Sequence, residues 1–577
     1  MLGEGRLRAV AVDGTDDASG APDASRRAPR DRRALPALWQ AVRSLLTPPP
    51  GSVWRDPVTW TVALLAFGAY FAISLFRLLQ LTPGSYDLGI YTEYVKQLSQ
   101  LHAPVVDVLG PGFNLLGNHF QVAVGVIAPF FRVFPSPATL LFFQALCAAV
   151  SVFPVVTTGT ALAGRSTGRL IGFAFGFSWG LQQMIDFDFH EIALAVPLLA
   201  FSVSALVRRR PRAAIAWALP LVFVEESQGF TVAAIGALLG ASAAFPALLT
   251  APLPRSAPPA PAAPPAPSAR LRLPARLCGR LRRAAAWDDG YVALWGGLFL
   301  VGWGLFWSTF AITVIIPHFN PLHEYYFWGN GGVVGGGKKF SVGALLVQAG
   351  GGWPTKAQTI VLLLLPTAFA ALGSPVALLA VPSLALRFIS TNSTFWGTNF
   401  HYDATVMPIL FIAAADGIRR WRRASALSWP LAESGAPSGV RELVRSAQAG
   451  VGRYGGAMMA AVAVTLAFQF PLSNLWHSST YTLDAHVAAA DAAMAVVPDG
   501  VTVQTTLDLL APLAARTDTF WIGNAGNPVT QYIVFDGDDS GYSPPQTNVP
   551  QFIADQYPHD GYVQVFDRDD VYVYRRG

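Results

Sequence analysis

Asp87 opens a stretch, Asp-Leu-Gly-Ile-Tyr-Thr-Glu-Tyr-Val-Lys, whose apolar residues recur at helical spacing. A carboxylate at the first turn of a helix meets unpaired N–H groups and the positive end of the helix dipole. It serves there either as a cap or as a base presented to a substrate proton. The run Asp186-Phe-Asp188-Phe-His190-Glu191 places four ionisable groups in six residues. If extended, it turns Asp186, Asp188 and His190 to one side. Carboxylates with an imidazole are donors for a divalent cation, so Asp186, Asp188, His190 and Glu191 are the metal candidates, against a plain solvated turn. Glu225-Glu226 is a pair of adjacent carboxylates that must share a proton, find a cation or face water. His119 in Asn118-His-Phe120 and His401 in His401-Tyr-Asp403 add two imidazoles. Lys338 and Lys339 end the glycine run Gly331-Gly-Val-Val-Gly-Gly-Gly. That run lacks the spacing and terminal Ser/Thr of a nucleotide-binding loop. It reads as a mobile loop whose lysines could meet a lipid phosphate.

The segments around these residues are apolar. Of 577 residues, 52% are hydrophobic and 13% charged, a balance that fits a polytopic membrane protein and not a soluble one. A hydrocarbon core needs ~20 apolar residues per helix. Candidate spans lie near 58–80, 138–163, 170–186, 190–207, 212–225, 228–245, 291–316, 357–373, 375–390, 402–418 and 453–471. Arginines crowd the intervening short loops: Arg165 and Arg169, Arg208-Arg-Arg-Pro-Arg212, the stretch 270–283, and Arg419-Arg-Trp-Arg-Arg423. The positive-inside rule puts these clusters in the cytoplasm, and alternating the spans satisfies each one. Arginines flanking apolar spans serve orientation, so nucleic acid is not an expected partner; membrane lipids are. Cys147 and Cys278 lie in unlike surroundings and predict no disulfide.

The expected architecture is mainly α. A bundle of about eleven transmembrane helices covers 56–475, with a long first outer loop at 81–137 and a Pro/Ala/Arg-rich cytoplasmic linker at 246–290. Residues 1–55 read as a disordered cytoplasmic N-terminus. Residues 424–450 read as a second cytoplasmic loop with room for one surface helix. Alternating strands and helices over 476–577 predict a small extracytoplasmic α/β domain. Within the outer loop, 118–134 reads as a helix lying in the interface. With this topology the acids and histidines fall on one face of the membrane, where ionisable groups point to function.

Tyr86-Asp-Leu-Gly-Ile-Tyr91, Phe113-Asn-Leu-Leu-Gly-Asn-His-Phe120, Pro129-Phe-Phe-Arg-Val-Phe-Pro-Ser-Pro137, Asp188-Phe-His-Glu191, Glu225-Glu226 and His401-Tyr resemble a bacterial membrane family, domain of unknown function 2079. That resemblance implies a multi-pass protein of the bacterial plasma membrane. The architecture also resembles the GT-C glycosyltransferases, with their long first outer loop and an acidic residue just after the first span. The resemblance implies that Asp87 is the catalytic acidic residue, and that a polyprenyl-phosphate sugar is the donor. His119, Lys338, Lys339 or His401 would then hold the lipid phosphate, and Asp188, His190, Glu191, Glu225 and Glu226 would shape the pocket. The cofactor stays open, a divalent cation being the one candidate. The alternative is a non-enzymatic transporter or flippase, which would place its acids near mid-bilayer, or an envelope assembly protein.

Overall fold

The computed structural model describes residues 52–82, 86–249, 289–325, 349–426, 438–538 and 546–577. Lys338 and Lys339, most of the linker 246–290, Cys278 and nearly all of the N-terminal segment lie outside the described residues. The unit that carries the site is Asp56–Gly577.

The polypeptide is predominantly helical. It begins with α1 (Pro57–Leu79), α2 (Asp87–Ser99) and α3 (Pro137–Ala163), followed by α4 (Arg165–Gly176), α5 (Trp179–Asp186), α6 (Ala195–Val207) and α7 (Pro211–Ala218). Next come α8 (Gln228–Ala244), α9 (Asp289–Phe310), α10 (Trp353–Leu364), α11 (Val381–Phe388), α12 (Val406–Ala426) and α13 (Ser438–Ala467). Three described helices are long and apolar enough to cross a membrane by length and composition: Pro57–Leu79, Pro137–Ala163 and Asp289–Phe319. Of the other expected spans, 228–245, 402–418 and 453–471 are largely covered by the continuous helices α8, α12 and α13, and the rest are helical but segmented. Residues 170–186 break between α4 and α5, and 357–373 passes through Pro366 into Ala368 and Phe369, both with positive φ. Proline lacks the N–H that would continue the ladder, so the helix ends there. The expected interfacial helix 118–134 is a six-residue 3-10 helix, Val122–Ile127, leading into a short α-helix, Ala128–Val133. Within 424–450, where a loop with a surface helix is expected, α13 begins at Ser438 and runs unbroken for 30 residues.

Two seams fix the frame. Helices α8 and α9 meet through glycines: a Cβ on Gly297 would lie 2.6 Å from the Gly236 carbonyl oxygen and from the Gly240 nitrogen. Small residues let helix backbones approach this closely. Arginine side chains close helix ends. Arg422 donates to the Ala163 carbonyl at 2.6 Å and Arg132 to the Ser99 carbonyl at 2.6 Å. Both satisfy acceptors that the helix ladder leaves open. Asp56, just before α1, pairs with Arg165 and Arg169.

Residues 485–577 form an α/β unit: α14 (Ala485–Val496), β1 (Thr502–Thr505), α15 (Leu510–Ala514), β2 (Asp518–Trp521), β3 (Tyr532–Asp536), α16 (Val549–Gln556), β4 (Tyr562–Arg568) and β5 (Val571–Arg576). The sheet order is β2-β1-β3-β5-β4. β1 runs parallel to β2 and β3, and β5 antiparallel to β3 and β4. Helices and strands alternate as the sequence predicts for a small α/β domain.

Candidate functional site

The N-terminal half of α2 is buried although it lies outside the apolar spans. Asp87 is its first residue and half-buried, and Leu88, Gly89, Ile90 and Tyr91 follow it into the interior. Tyr91 stands one helical turn beyond Asp87, hence on the same face. Its hydroxyl bonds Glu191 Oε2 and lies 2.9 Å from Gln121 Oε1.

Glu191 is fully buried and opens a short 3-10 turn. Its Oε2 also lies 2.8 Å from His190 Nδ1. The His190 ring stacks on His401, with centroids 3.5 Å apart and 19° between planes. Two polar atoms of this group are enclosed without a partner among the described residues: Glu191 Oε1 and His401 Nδ1. Burying such atoms unpaired costs roughly 1–3 kcal/mol each. His401 is held by its own segment, where Asp403 and Arg387 form a buried pair at 2.5 Å. Burial and then the Glu191 charge dominate at Tyr91 and His190, and Asp87 adds a smaller contribution there and at Tyr402.

A second group lies on the other side of Gln121. Glu226 Oε1 accepts from Tyr325 at 2.8 Å and lies 2.8 Å from His119 Nδ1, while Oε2 accepts the Phe120 amide at 3.0 Å. Burial works against the charged form of His119, but Glu226 overrides it and pushes the imidazole pKa up to about 10. The strand of loop at 117–121 is locked in place. Asn320 Nδ2 donates to the Gly117 carbonyl at 2.8 Å, and Phe120 stacks on Trp307. Beside Phe120 the α9 helix opens into a π-helical turn, Ala311–Ile315. His119, Glu225 and Glu226 bring their ligand atoms within 4.8 Å of one another, which makes them the group of possible metal ligands among the described residues.

The expected metal candidates divide differently. Asp186 and Asp188 face Arg77 at 3.3 and 3.4 Å, whereas His190 and Glu191 face each other. An extended turn was expected to aim them together; instead Asp188 takes a positive φ of 73°, which turns the chain between them. Arg77 and Asp188 line a narrow cleft with Leu78, Leu81 and Thr82 from the end of α1 and Leu88 and Gly89 from α2. Leu507, Asp508 and Ala511 of the α/β unit form its opposite wall. Thus His190, Glu191 and His401 join at Tyr91, His119, Glu225 and Glu226 form a neighbouring group, and Asp87 lies within electrostatic reach of Tyr91 and His190. The two lysines at 338 and 339 lie outside the described residues. Tyr91, Gln121, Tyr325, Arg77 and Arg387 were not singled out from the sequence. Only Tyr91, four residues after Asp87 on a helix, carried a readable signal.

No curated protein matches the chain by sequence. Among solved structures it is similar to ArnT from Cupriavidus metallidurans bound to undecaprenyl phosphate. The TM-score is 0.49 at 14% identity, over 89% of this chain and 97% of that one. The apo state of the same ArnT gives 0.45 at 14% identity over 89% and 96%. Archaeal oligosaccharyltransferase AglB from Archaeoglobus fulgidus, in complex with an inhibitory peptide and a dolichol-phosphate, gives 0.34 at 11% identity over 90% and 74%. A family model for predicted membrane proteins matches residues 77–573, and the chain belongs to that family, DUF2079.

Proposed function

We propose that the protein transfers a sugar from a polyprenyl-phosphate donor to a hydroxyl acceptor at the outer face of the bacterial plasma membrane. Asp87 is the general base: its carboxylate takes the acceptor proton as the acceptor oxygen bonds the anomeric carbon and the bond from that carbon to the phosphate oxygen breaks. Such a base contributes roughly 10²–10⁴ in rate. His401 donates to the departing lipid phosphate, and a hydrogen bond to an ionised group is about twice as strong as a neutral one. Glu191, fixed by Tyr91 and His190, holds the imidazole stack in register.

The observation that carries the reading is the grouping of Asp87, Tyr91, His190, Glu191 and His401, with Glu191 Oε1 and His401 Nδ1 enclosed and without a partner among the described residues. The adjoining cleft is lined mainly by apolar side chains, with Arg77, Asp188 and Asp508 as its charged groups. Purified protein in lipid nanodiscs, given radiolabelled polyprenyl-phosphate sugars and an envelope fraction as acceptor, should move label. Asp87→Asn should cut transfer at least about 100-fold with the protein still folded by size exclusion. Full transfer by the folded variant sinks the role of Asp87.

A further inference from the structure

Glu225 and Glu226 are adjacent carboxylates at the junction between the short 3-10 helix Leu219–Phe223 and α8, and the junction is rigid. Ser308 on α9 donates to the Glu226 carbonyl at 2.6 Å, and the glycine seam of α8 and α9 starts one turn later. Two carboxylates and one imidazole meet there. Their ligand atoms lie within 4.8 Å of one another in a largely buried setting. Uncompensated buried charge is costly, and buried charges are normally paired or bind metals.

Gln228 adds an independent observation. Its side chain is 4% exposed, and Nε2 donates to Glu225 Oε2 at 3.3 Å. Its Oε1 is buried with no partner among the described residues. An amide whose donor faces the acid while its acceptor is stranded is half-used. A cation beside Glu225 reverses the preference: turning the amide over brings the oxygen to the cation. Oxygen and nitrogen of a glutamine are assigned from such networks.

We propose that His119, Glu225 and Glu226 bind one divalent transition-metal ion, with the Gln228 amide oxygen as a further donor. Two carboxylate oxygens and an imidazole nitrogen suit Mn²⁺, Fe²⁺ or Zn²⁺, whereas Ca²⁺ prefers an all-oxygen shell. The ion replaces the proton on the imidazole as the counter-charge for Glu226. It ties the first outer loop, through His119, to the start of α8. Tyr325, already on Glu226, orients that carboxylate as an outer-sphere partner does. The assignment does not depend on sugar transfer and is tested without any donor.

The direct test is Mn²⁺ binding to the full-length protein in nanodiscs, followed by electron paramagnetic resonance after chelator stripping. One ion per chain is expected. Glu225 bonds Ser227 and Gln228 in its own turn, so Glu225→Gln leaves the Phe120 anchor in place; it should weaken binding at least tenfold. Gln228→Leu should weaken it several-fold, and Mn²⁺ should raise the melting temperature of the native protein more than that of either variant. Asp186→Asn should bind as the native protein does. Absence of stoichiometric uptake overturns the proposal. So does equal binding by Glu225→Gln, or loss with Asp186→Asn alone. Loss of sugar transfer in a variant that still binds Mn²⁺ would bear on the transferase reading and not on this site.

Discussion

Glu93 sits on the buried side of α2, with Oε2 3.1 Å from the Val108 amide and Oε1 enclosed without a partner among the described residues. Burial raises its pKa to about 8, with Lys96 pulling the other way. The unfolded chain releases this proton near the ordinary glutamate value of ~4.3. Between that pH and about 8 the native state holds a proton that the unfolded state has lost, so stability falls as pH rises through this window and levels off above it. The full drop is about 5 kcal/mol at 1.36 kcal/mol per unit. Glu93→Gln should flatten the melting-temperature profile between pH 5 and 8 and raise stability at pH 8.5; an unchanged profile would place Glu93 in water. Tyr91 makes the complementary case. Tyr91→Phe leaves Glu191 and Gln121 each without the same hydroxyl. Stranding buried polar partners costs roughly 1–3 kcal/mol, which differential scanning fluorimetry at constant pH should register.

The elements divide by whether their logic is local. α2 was readable because an acid begins it and apolar residues recur along one face, and the strands of the α/β unit were readable from alternation and turns. Helix segmentation at 177–178 was not, since hydropathy is continuous there and packing decides where a bundle helix breaks; at 366–369 Pro366 was a local signal that the continuous hydropathy outweighed. The site was half-legible for the same reason. Residue types marked Asp87, His190, Glu191 and the 225–226 pair, but the partners that join them, such as Gln121 on Tyr91 and Tyr325 on Glu226, meet only through the fold. The α8–α9 seam shows how an element with no chemistry governs the site. Gly297→Ala puts a Cβ 2.6 Å from the Gly236 carbonyl oxygen and from the Gly240 nitrogen, and backbone cannot rotate away as a side chain can. Overpacking of this kind costs roughly 1–3 kcal/mol. Gly302→Ala on the same helix meets nothing within 4 Å and is the control. A melting temperature lowered only by the first substitution is expected.

At the scale of the whole molecule, the α/β unit is part of the wall around α2. Tyr86 stacks on Trp521 at 5.7 Å, Lys96 Nζ donates to the Thr517 carbonyl at 2.6 Å, and Asn524 reaches the Val108 carbonyl at 2.9 Å. Leu510 packs so closely on Gly89 that a Cβ there would come within 3.0 Å of the leucine Cβ. Leu510 and Ala511 belong to the same apolar core as Leu88, Tyr91 and Phe189. The helix that presents Asp87 is therefore clamped between the membrane bundle and the α/β unit, and its position depends on both. Leu510→Asp places a charge in that core, where an unpaired ion is expelled toward water. The expected outcome is local: amide hydrogen exchange over 86–99 should rise by at least tenfold, the free energy of opening that segment falling by ~1.4 kcal/mol or more. The central turns of α3, which lie beyond the clamp, should keep their protection. Uniform deprotection of the chain would instead mean that the α/β unit supports the fold of the bundle itself, and unchanged exchange over 86–99 would mean that α2 holds its place without it.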